Sequence, residues 1–316
     1  MPKVGPIRAA ILGCGQIAHE YASDPKRKGI VTHTQAYLSD PRFVLMGVFD
    51  PIEEKRQKYH LKWDVPAYAT IETLMMSVKP EVVSICSPAN QHLDNIRRIL
   101  SFDSVKVIFC EKPIATSLSE ALKIKQLLSK RPDVSLFVNF SRRYDETYQK
   151  LAQQIKLGYL GDIQLINAYY GGSFASNASH LIDLITWYAG PLTKGYVIGT
   201  NQKQPHIIYY LKNGAPVIIQ ALNSQAYHQF ECHFFGTSKK ISFLDNGFKI
   251  EIQQPSPSTY FSRIKSLKKF KSIKAYRHVF EHALEMIVQQ IKTNKKQPTH
   301  YLLNESIENL KTVLKA

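Results

Sequence analysis

Ile7-Arg8-Ala9-Ala10-Ile11-Leu12-Gly13-Cys14-Gly15-Gln16-Ile17-Ala18 is the stretch that decides the fold. An apolar run, broken only by Arg8, meets a G-x-G-x-x-A turn. In a strand–turn–helix unit the first glycine permits the tight turn and the second lets the backbone approach a pyrophosphate. The small third residue lets helix pack on strand. The N-terminus of the helix that follows then faces the phosphates. Gly13, Gly15, Gln16 and Ile17 are therefore candidate dinucleotide contacts. The apolar run is too short for a secretory leader and leads straight into the glycines, so it reads as a first strand.

Outward from this turn, further apolar runs occur at Phe43–Phe49, Val82–Cys86, Val105–Cys110 and Val134–Phe140. Their near-continuous apolar character suits strands buried on both faces of a parallel sheet. Helical patterns lie between them. Gln91–Leu100 carries Leu93, Ile96, Ile99 and Leu100 at helical spacing. Ser117–Lys130 opens on a capping box formed by Ser117 and Glu120. The alternation predicts a doubly wound α/β dinucleotide-binding domain over residues 1–139.

The pattern then changes. A helix is predicted over Tyr144–Leu157, closed by Gly158. Strand-like runs follow at Ile163–Tyr170, Ile207–Leu211, Val217–Leu222, Phe230–Phe235, Ile241–Leu244 and Phe248–Ile252. Lys212-Asn213-Gly214 and Asp245-Asn246-Gly247 favour the turns that join antiparallel strands. Helices over Tyr276–Ile291 and Asn304–Leu314 end the chain. Residues 140–316 thus read as an α+β domain with a largely antiparallel open sheet.

Hydrophobic residues make up 44% and charged residues 21% of the 316, a globular rather than disordered balance. No apolar run approaches the roughly 20 residues needed to span a bilayer. The cysteines Cys14, Cys86, Cys110 and Cys232 show no metal-ligand spacing and are too sparse for a disulfide scaffold. They read as buried thiols of a reducing, cytoplasmic compartment. The net charge of +16 points to an acidic partner such as a phosphorylated small molecule. Much of it is local: Arg263, Lys265, Lys268, Lys269, Lys271, Lys274 and Arg277 fall in one stretch without an acid. That stretch reads either as a polyanion contact or, the better bet, as a solvated basic loop. It lacks a nucleic-acid motif, and Phe270 and Tyr276 are too few for a base-stacking platform.

Asp50 ends the second run. An acid there binds the adenosine ribose hydroxyls and repels a 2′-phosphate, which favours NAD. Lys55 and Arg56 can approach such a phosphate, so NADP stays open; a helix cap before Pro51 is the structural alternative. Asp50 lies further from Gly13 than the roughly 20 residues usual for this arrangement. The excess falls in the polar stretch Ala22–Thr32, read as a loop inserted near the cofactor. Glu111-Lys112-Pro113 follows the fourth run, at the strand end where ligands sit in open α/β sheets. A lysine there can hydrogen-bond a substrate oxygen, although an isolated Lys-Pro is more often a surface feature. In Ser176-Asn177-Ala178-Ser179-His180-Leu181-Ile182-Asp183, Ser or Asn can cap the helix that follows. His180 then sits in its first turn, where the helix dipole disfavours the imidazolium, and Asp183 shares its face and can orient it. No third ligand accompanies this His–Asp spacing, so no metal is expected. The structural alternative is a core histidine.

These pieces together resemble the Gfo/Idh/MocA oxidoreductases, across nearly the whole chain. The marks are the Gly13–Ala18 turn, His33-Thr34-Gln35-Ala36, Ser87-Pro88-Ala89-Asn90-Gln91-His92, Cys110-Glu111-Lys112-Pro113-Ile114-Ala115 and His180-Leu181-Ile182-Asp183-Leu184. The resemblance implies that Lys112 and His180 form the catalytic pair, and that Pro88, Asn90 and His92, with Ser87, line the nicotinamide side. It adds Glu111 and Lys112 to the cofactor contacts, assigns the roles of substrate binding and oligomerisation to residues 140–316, and implies a homo-oligomer, dimer or tetramer. One departure stands out: the family commonly carries an aspartate four residues before the catalytic histidine, and here that position is Ser176, followed by Asn177. Neither side chain takes up a proton as a carboxylate does. This pattern is similar to a branch associated with surface-polysaccharide or sugar-nucleotide genes.

The expected function is hydride transfer between a nicotinamide and a carbinol carbon of a sugar, cyclitol or sugar nucleotide. His180 would take the hydroxyl proton and Lys112 would hold the same oxygen, with Asp183, Ser176 and Asn177 in support. The basic balance favours an anionic substrate. The rival reading is a non-catalytic or regulatory dinucleotide binder that has lost the proton relay. A nucleic-acid or membrane-surface role for Arg263–Arg277 ranks behind both.

Overall fold

The apolar runs become strands in the computed structural model, which describes residues 5–193, 195–198, 204–293 and 300–314. In chain order the first elements are β1 (Ile7–Leu12), α1 (His33–Ser39), β2 (Phe43–Phe49), α2 (Glu53–Trp63), β3 (Ala67–Tyr68) and α3 (Ile71–Val78). There follow β4 (Val82–Ile85), α4 (His92–Ile99), β5 (Val107–Cys110), α5 (Leu118–Ser129) and β6 (Ser135–Val138). The chain continues through α6 (Glu146–Lys156), β7 (Ile163–Gly171), α7 (Ser179–Ala189), β8 (Tyr196–Ile198), β9 (His206–Tyr210), β10 (Pro216–Leu222) and β11 (Phe230–Gly236). It closes with β12 (Lys240–Leu244), β13 (Lys249–Pro257), β14 (Lys265–Lys274), α8 (Val279–Lys292), β15 (His300–Tyr301) and α9 (Leu303–Leu314).

Two compact units result. The first contains residues up to Ser141 and takes back His278–Ile307; the second contains Arg142–Arg277 and the chain from Glu308. The second expected domain, 140–316, is therefore not continuous, because α8 and β15 return to the first unit. Phe280 on α8 packs edge-on against His33 of α1 at 5.0 Å, and His300 and Tyr301 pair with β6.

The first unit is a parallel sheet of order β15-β6-β5-β4-β1-β2-β3. Every residue of β4, β5 and β6 is buried, as strands covered on both faces require. Thr70 and Ser117 cap α3 and α5 by accepting the amides of Thr73 and Glu120, the latter as the capping box predicts. The doubly wound α/β fold expected from sequence is what forms.

The turn after β1 departs from expectation. No α-helix opens at Gly15. The chain makes one wide turn, with His19 N bonded to Gly15 O at 3.1 Å and Tyr21 N to Gln16 O at 3.0 Å, then a 3₁₀ turn at Glu20–Ser23. The crossover helix α1 starts only at His33, where Thr32 accepts the Gln35 amide. The polar Ala22–Thr32 stretch, with Pro25 and Gly29, holds no helical period and delays it.

The second unit is a sheet of order β14-β13-β12-β11-β7-β10-β9-β8. Among the described residues only β7 and β10 run parallel, so the largely antiparallel expectation is met. Both Asn-Gly turns fall where predicted, Asn213-Gly214 joining β9 to β10 and Asn246-Gly247 joining β12 to β13. The core centres on aromatic rings: Phe243 stacks on Tyr148 at 5.2 Å and meets Tyr188 at 5.5 Å and Phe234 at 5.9 Å.

The basic stretch is not a loop. Lys265–Lys274 forms β14, the edge strand, paired antiparallel to β13. The Lys268-Lys269 doublet hides the alternation by which strands are recognised, and β13 imposes the extended form through its hydrogen bonds. All four cysteines are buried and free. Among the described residues no helix is long and apolar enough to cross a membrane.

Candidate active site

In the first unit the candidate residues gather at the carboxyl ends of β1, β2, β4 and β5. Gly13 has φ +102°, and a Cβ there would lie 2.9 Å from Ser87 N and 3.0 Å from Cys86 C. The chain itself thus demands glycine. At Gly15 a Cβ would meet no heavy atom within 4 Å. The second glycine is not required by the fold, and its open side is where a pyrophosphate would need backbone approach. The residues present therefore fit a dinucleotide. Gln16 is exposed and accepts the Tyr21 hydroxyl at 3.0 Å, while the Ile17 carbonyl accepts the His33 amide at 3.2 Å, binding the turn to α1.

Asp50 is 5% exposed. Its Oδ2 accepts the Cys14 amide at 2.9 Å and its Oδ1 the Ile52 amide at 3.0 Å, so the carboxylate ties the glycine turn to the end of β2. It does not cap α2, whose N-cap is Ile52. Arg56 folds back to donate to the carbonyls of Asp50 at 2.8 Å and Pro51 at 3.0 Å, which places a guanidinium beside the same strand end. Burial, and the Asp50 charge after it, push the Cys14 thiol up to about 12, so it stays protonated.

Sequence reasoning missed His19 beneath this turn. Trp63 Nε1–H donates to its Nδ1 at 3.3 Å, so Nε2–H donates to Cys14 O at 3.1 Å. Burial lowers its pKa and keeps it neutral. A histidine so close after the glycines is the one trace it leaves in sequence.

At the β4 end, Ser87 and His92 are drawn together. His92 lies between the carbonyls of Ser87 at 2.9 Å and Ile114 at 3.3 Å, linking the loop after β4 to that after β5; burial lowers its pKa. Pro88 and Asn90 are exposed on that loop. Glu111, after β5, accepts His33 Nε2–H at 2.9 Å and Asn139 Nδ2–H at 2.7 Å on Oε1. His33 Nδ1 lies 3.0 Å from the Ser84 hydroxyl, which in turn is hydrogen-bonded to the Tyr37 hydroxyl at 2.7 Å. Burial alone would raise the Glu111 pKa. The His33 bond and charge, Asn139 and the Lys112 charge outweigh it and hold the carboxyl below its usual range. Lys112 follows, half-buried, with a cis bond to Pro113.

In the second unit the remaining candidates sit where β7 ends. Ser173 accepts the Ser176 amide, and Phe174–Ala178 form a single π-helical turn that runs into α7. The N-cap of α7 is Ala178, without a side-chain cap; Ser176 and Asn177 do not cap it, because the π turn places Ser173 in that role one turn earlier. Ser176 is exposed, and Asn177 Nδ2 donates to the Gly171 carbonyl. His180 is the second residue of α7, partly exposed, its ring edge-on to Phe230 at 6.5 Å. Asp183 is buried and held by Arg143, with Nη2 2.8 Å from Oδ1 and Nε 3.0 Å from Oδ2.

Arg142 and Arg143 were not legible as site residues. Arg142 lies over Phe230 at 3.9 Å and over Tyr276 at 4.9 Å, a cation beside the aromatic neighbour of His180. Beyond the ends of β9 and β10 a polar cleft of about 550 Å³ is lined by Gln204, His206, Asn223, Ser224 and Gln225. Gln204 Nε2 reaches the Gly172 carbonyl at 3.3 Å, so the cleft adjoins the segment that leads into the turn before α7. Among the described residues no group of three or more His, Cys, Asp or Glu is arranged to hold a metal.

The comparisons with known proteins agree with this geometry. Residues 7–140 match the profile of an oxidoreductase family, NAD-binding Rossmann fold, Gfo/Idh/MocA. D-glucoside 3-dehydrogenase of Escherichia coli is 28% identical over 169 residues, covering 52% of this chain and 43% of that protein. The chain thus matches less than half the length of that relative. The fold extends further: the WlbA dehydrogenase of Bordetella pertussis, solved with NADH and UDP-GlcNAcA, superposes with TM-score 0.73 at 16% identity, covering 98% of this chain and 94% of that one. KijD10, a 3-ketoreductase from Actinomadura kijaniata solved with NADP, does so with TM-score 0.75 at 14% identity, covering 98% and 96%. Through its glycine turn, its strand-end residues and the match over residues 7–140, the first part of the chain is similar to the Gfo/Idh/MocA oxidoreductases.

Proposed function

We propose that the protein is a nicotinamide-dependent oxidoreductase acting on a carbinol or keto carbon of a sugar, cyclitol or sugar nucleotide. The observation that carries this reading is the glycine turn after β1: Gly13 is required by the chain, whereas Gly15 is open, so its backbone is accessible to an approaching ligand. A bound dinucleotide supplies hydride exchange at its nicotinamide. The amides of the glycine turn receive its pyrophosphate. Asp50 accepts the adenosine ribose hydroxyls and sets a negative charge against a 2′-phosphate, so NAD is the proposed cofactor; Arg56 beside it is the feature that favours NADP instead. Ser87, Pro88, Asn90 and His92 border the nicotinamide end with Glu111 and Lys112.

Lys112 donates to the reacting oxygen of the substrate and stabilises its developing charge. His180 takes the hydroxyl proton in the oxidative direction and returns it in reduction. Asp183, pinned by Arg143, fixes the face of α7 that carries His180, and the Ser176–Asn177 turn shapes its approach. The polar cleft suits hydroxyl-rich substrates, and Arg142 supplies a cation for an anionic one. WlbA, solved with UDP-GlcNAcA, supports this substrate class, and KijD10, solved with NADP, supports only the cofactor class. A second reading, a cofactor binder without turnover, is favoured by the exposed Ser176 hydroxyl where a carboxylate relay would stand.

Denaturing the purified protein and identifying the released small molecules by mass spectrometry tests the proposal. Release of a nicotinamide dinucleotide supports it. No dinucleotide, together with no response to NADH or NADPH in a fluorescence titration, overturns it. Turnover of a co-purified sugar separates the enzyme from the silent binder. Homo-oligomer formation and cytoplasmic residence belong to the same proposal and are read by sedimentation and by cell fractionation.

A further inference from the structure

β12 accompanies β13 only as far as the Lys240–Gln253 pair. Beyond it, Gln254 to Pro257 pair with Lys268 to Lys265 alone, so the β13–β14 hairpin runs past its own sheet as a two-stranded arm. Its tip, residues 258–264, is closed by Ser258 N donating to Ile264 O at 2.9 Å, and Ser258 Oγ accepts the amides of Tyr260 and Phe261. The tip side chains face solvent: Tyr260 is 87% exposed, Phe261 63% and Ile264 56%. No acid occurs between Ile252 and Phe280; Arg263 lies in the tip, and Lys265, Lys268, Lys269, Lys271 and Lys274 follow along β14, Lys269 lying 3.9 Å from Glu251 of β13.

A two-stranded ribbon gains little stability alone in water, and exposed aromatics at its end have a binding cost to justify them. The edge is guarded against pairing with another strand. Lysines line it, and a bulge sets Phe270 out of register between Lys269 and Lys271. What stays available is an apolar tip with a row of cations leading away from it along β14. That combination is complementary to an anionic lipid surface, where aromatic side chains settle at the headgroup level and lysines meet phosphates.

We propose that the β13–β14 arm docks the protein on anionic bilayers, the tip residues Tyr260, Phe261 and Ile264 entering the interface and the β14 lysines binding headgroups. The arm shares no residue with the candidate active site, so the proposal does not depend on the catalytic reading.

The test is co-sedimentation of the full chain with vesicles of phosphatidylcholine mixed with phosphatidylglycerol, against phosphatidylcholine alone, at rising salt. Binding is expected only to the mixed vesicles and should weaken with salt. Lys265→Gln with Lys268→Gln and Lys269→Gln should lower it roughly a hundredfold, about fivefold per charge. Tyr260→Ser with Phe261→Ser should lower it at least about tenfold, the worth of burying one aromatic side chain. Circular dichroism of both variants should match the parent, since the arm touches no core. Absence of binding to mixed vesicles, equal binding to the neutral ones, or undiminished binding by either variant overturns the proposal. Binding of duplex DNA that survives the tip changes, without vesicle binding, makes the arm a general polyanion contact and overturns it too. A tip variant that alters only the sedimentation coefficient assigns the arm to contacts between copies of the chain and likewise overturns the proposal.

Discussion

His33 and Glu111 stand 78 residues apart in the chain and 2.9 Å apart in the fold. The histidine opens the first crossover helix; the glutamate sits immediately before Lys112. Through Ser84 and Tyr37 the same imidazole continues into the middle of the parallel sheet. The strand end that carries Lys112 is thus fixed by a buried polar chain as well as by its strand.

That chain has a pH signature. A carboxyl whose folded pKa is depressed adds stability that is present above its unfolded value and is lost as pH falls through its folded value. Glu111 is such a group. Glu111→Gln should cost about 1–3 kcal/mol near neutral pH, as for a buried charged hydrogen bond. The gap between the two proteins should close as pH falls below about 4.3, the ordinary glutamate value. Urea unfolding across that range measures it, and a gap that persists unchanged in acid would assign the loss to packing.

The two glycines of the turn should respond oppositely. Gly13→Ala meets Ser87 N and a positive φ, so it should destabilise by more than about 1 kcal/mol. Gly15→Ala meets nothing in the chain and should leave the melting temperature within a few degrees while weakening dinucleotide binding. Thermal unfolding and NADH titration, run side by side, decide; the reverse ordering contradicts the assignment of Gly15 to the pyrophosphate.

Asp50 serves both the turn and the proposed ribose contact. Asp50→Ser should weaken NADH binding about tenfold, in line with the loss of a charged hydrogen bond, while narrowing or reversing the preference over NADPH. Arg56→Ala should widen that preference. If the parent already prefers NADPH in fluorescence titration, Arg56 rather than Asp50 sets the choice.

Lys112→Ala and His180→Ala should each lose roughly 10² to 10⁴ in turnover with NADH affinity preserved. Ser176→Asp is the more searching change. A carboxylate facing His180 stabilises its charged form, so the histidine limb of the rate–pH profile should move to higher pH. An unmoved limb would mean that the exposed position 176 does not face His180.

In the second unit, Phe243→Ala removes the ring shared by Tyr148, Tyr188 and Phe234. It should cost about 3–5 kcal/mol, read by urea unfolding, and a loss under about 1 kcal/mol would show that the cluster closes over the gap.

What was legible follows from what each element buries. β1, β2, β4, β5 and β6 are covered on both faces, so their composition alone marks them. α2 buries only Tyr59 among its residues, and its Glu53-Glu54-Lys55-Arg56 start carries no apolar stripe to read. β14 was hidden because its face is lysine and its form comes from its partner. Of the site, Gly13, Lys112 and His180 lie in short contiguous motifs. The His33–Glu111 bond, the Arg143–Asp183 pair and the Arg142–Phe230 stack join residues far apart in the chain, and no local spacing encodes such meetings. Ser176 and Asn177 looked like caps because a π turn before a helix has no sequence mark of its own.

The return of residues 278–307 to the first unit orders events at the ribosome. Synthesis delivers β1 to β6 first, then the whole of Arg142–Arg277, and only afterwards Phe280, which covers His33, and Tyr301, which pairs along β6. A nascent chain halted near Ser141 would carry His33 without its aromatic lid and β6 as a bare edge, a template for wrong partners. The dinucleotide domain is the first to be started and among the last to be finished, so chaperone demand should peak while the second unit is being made.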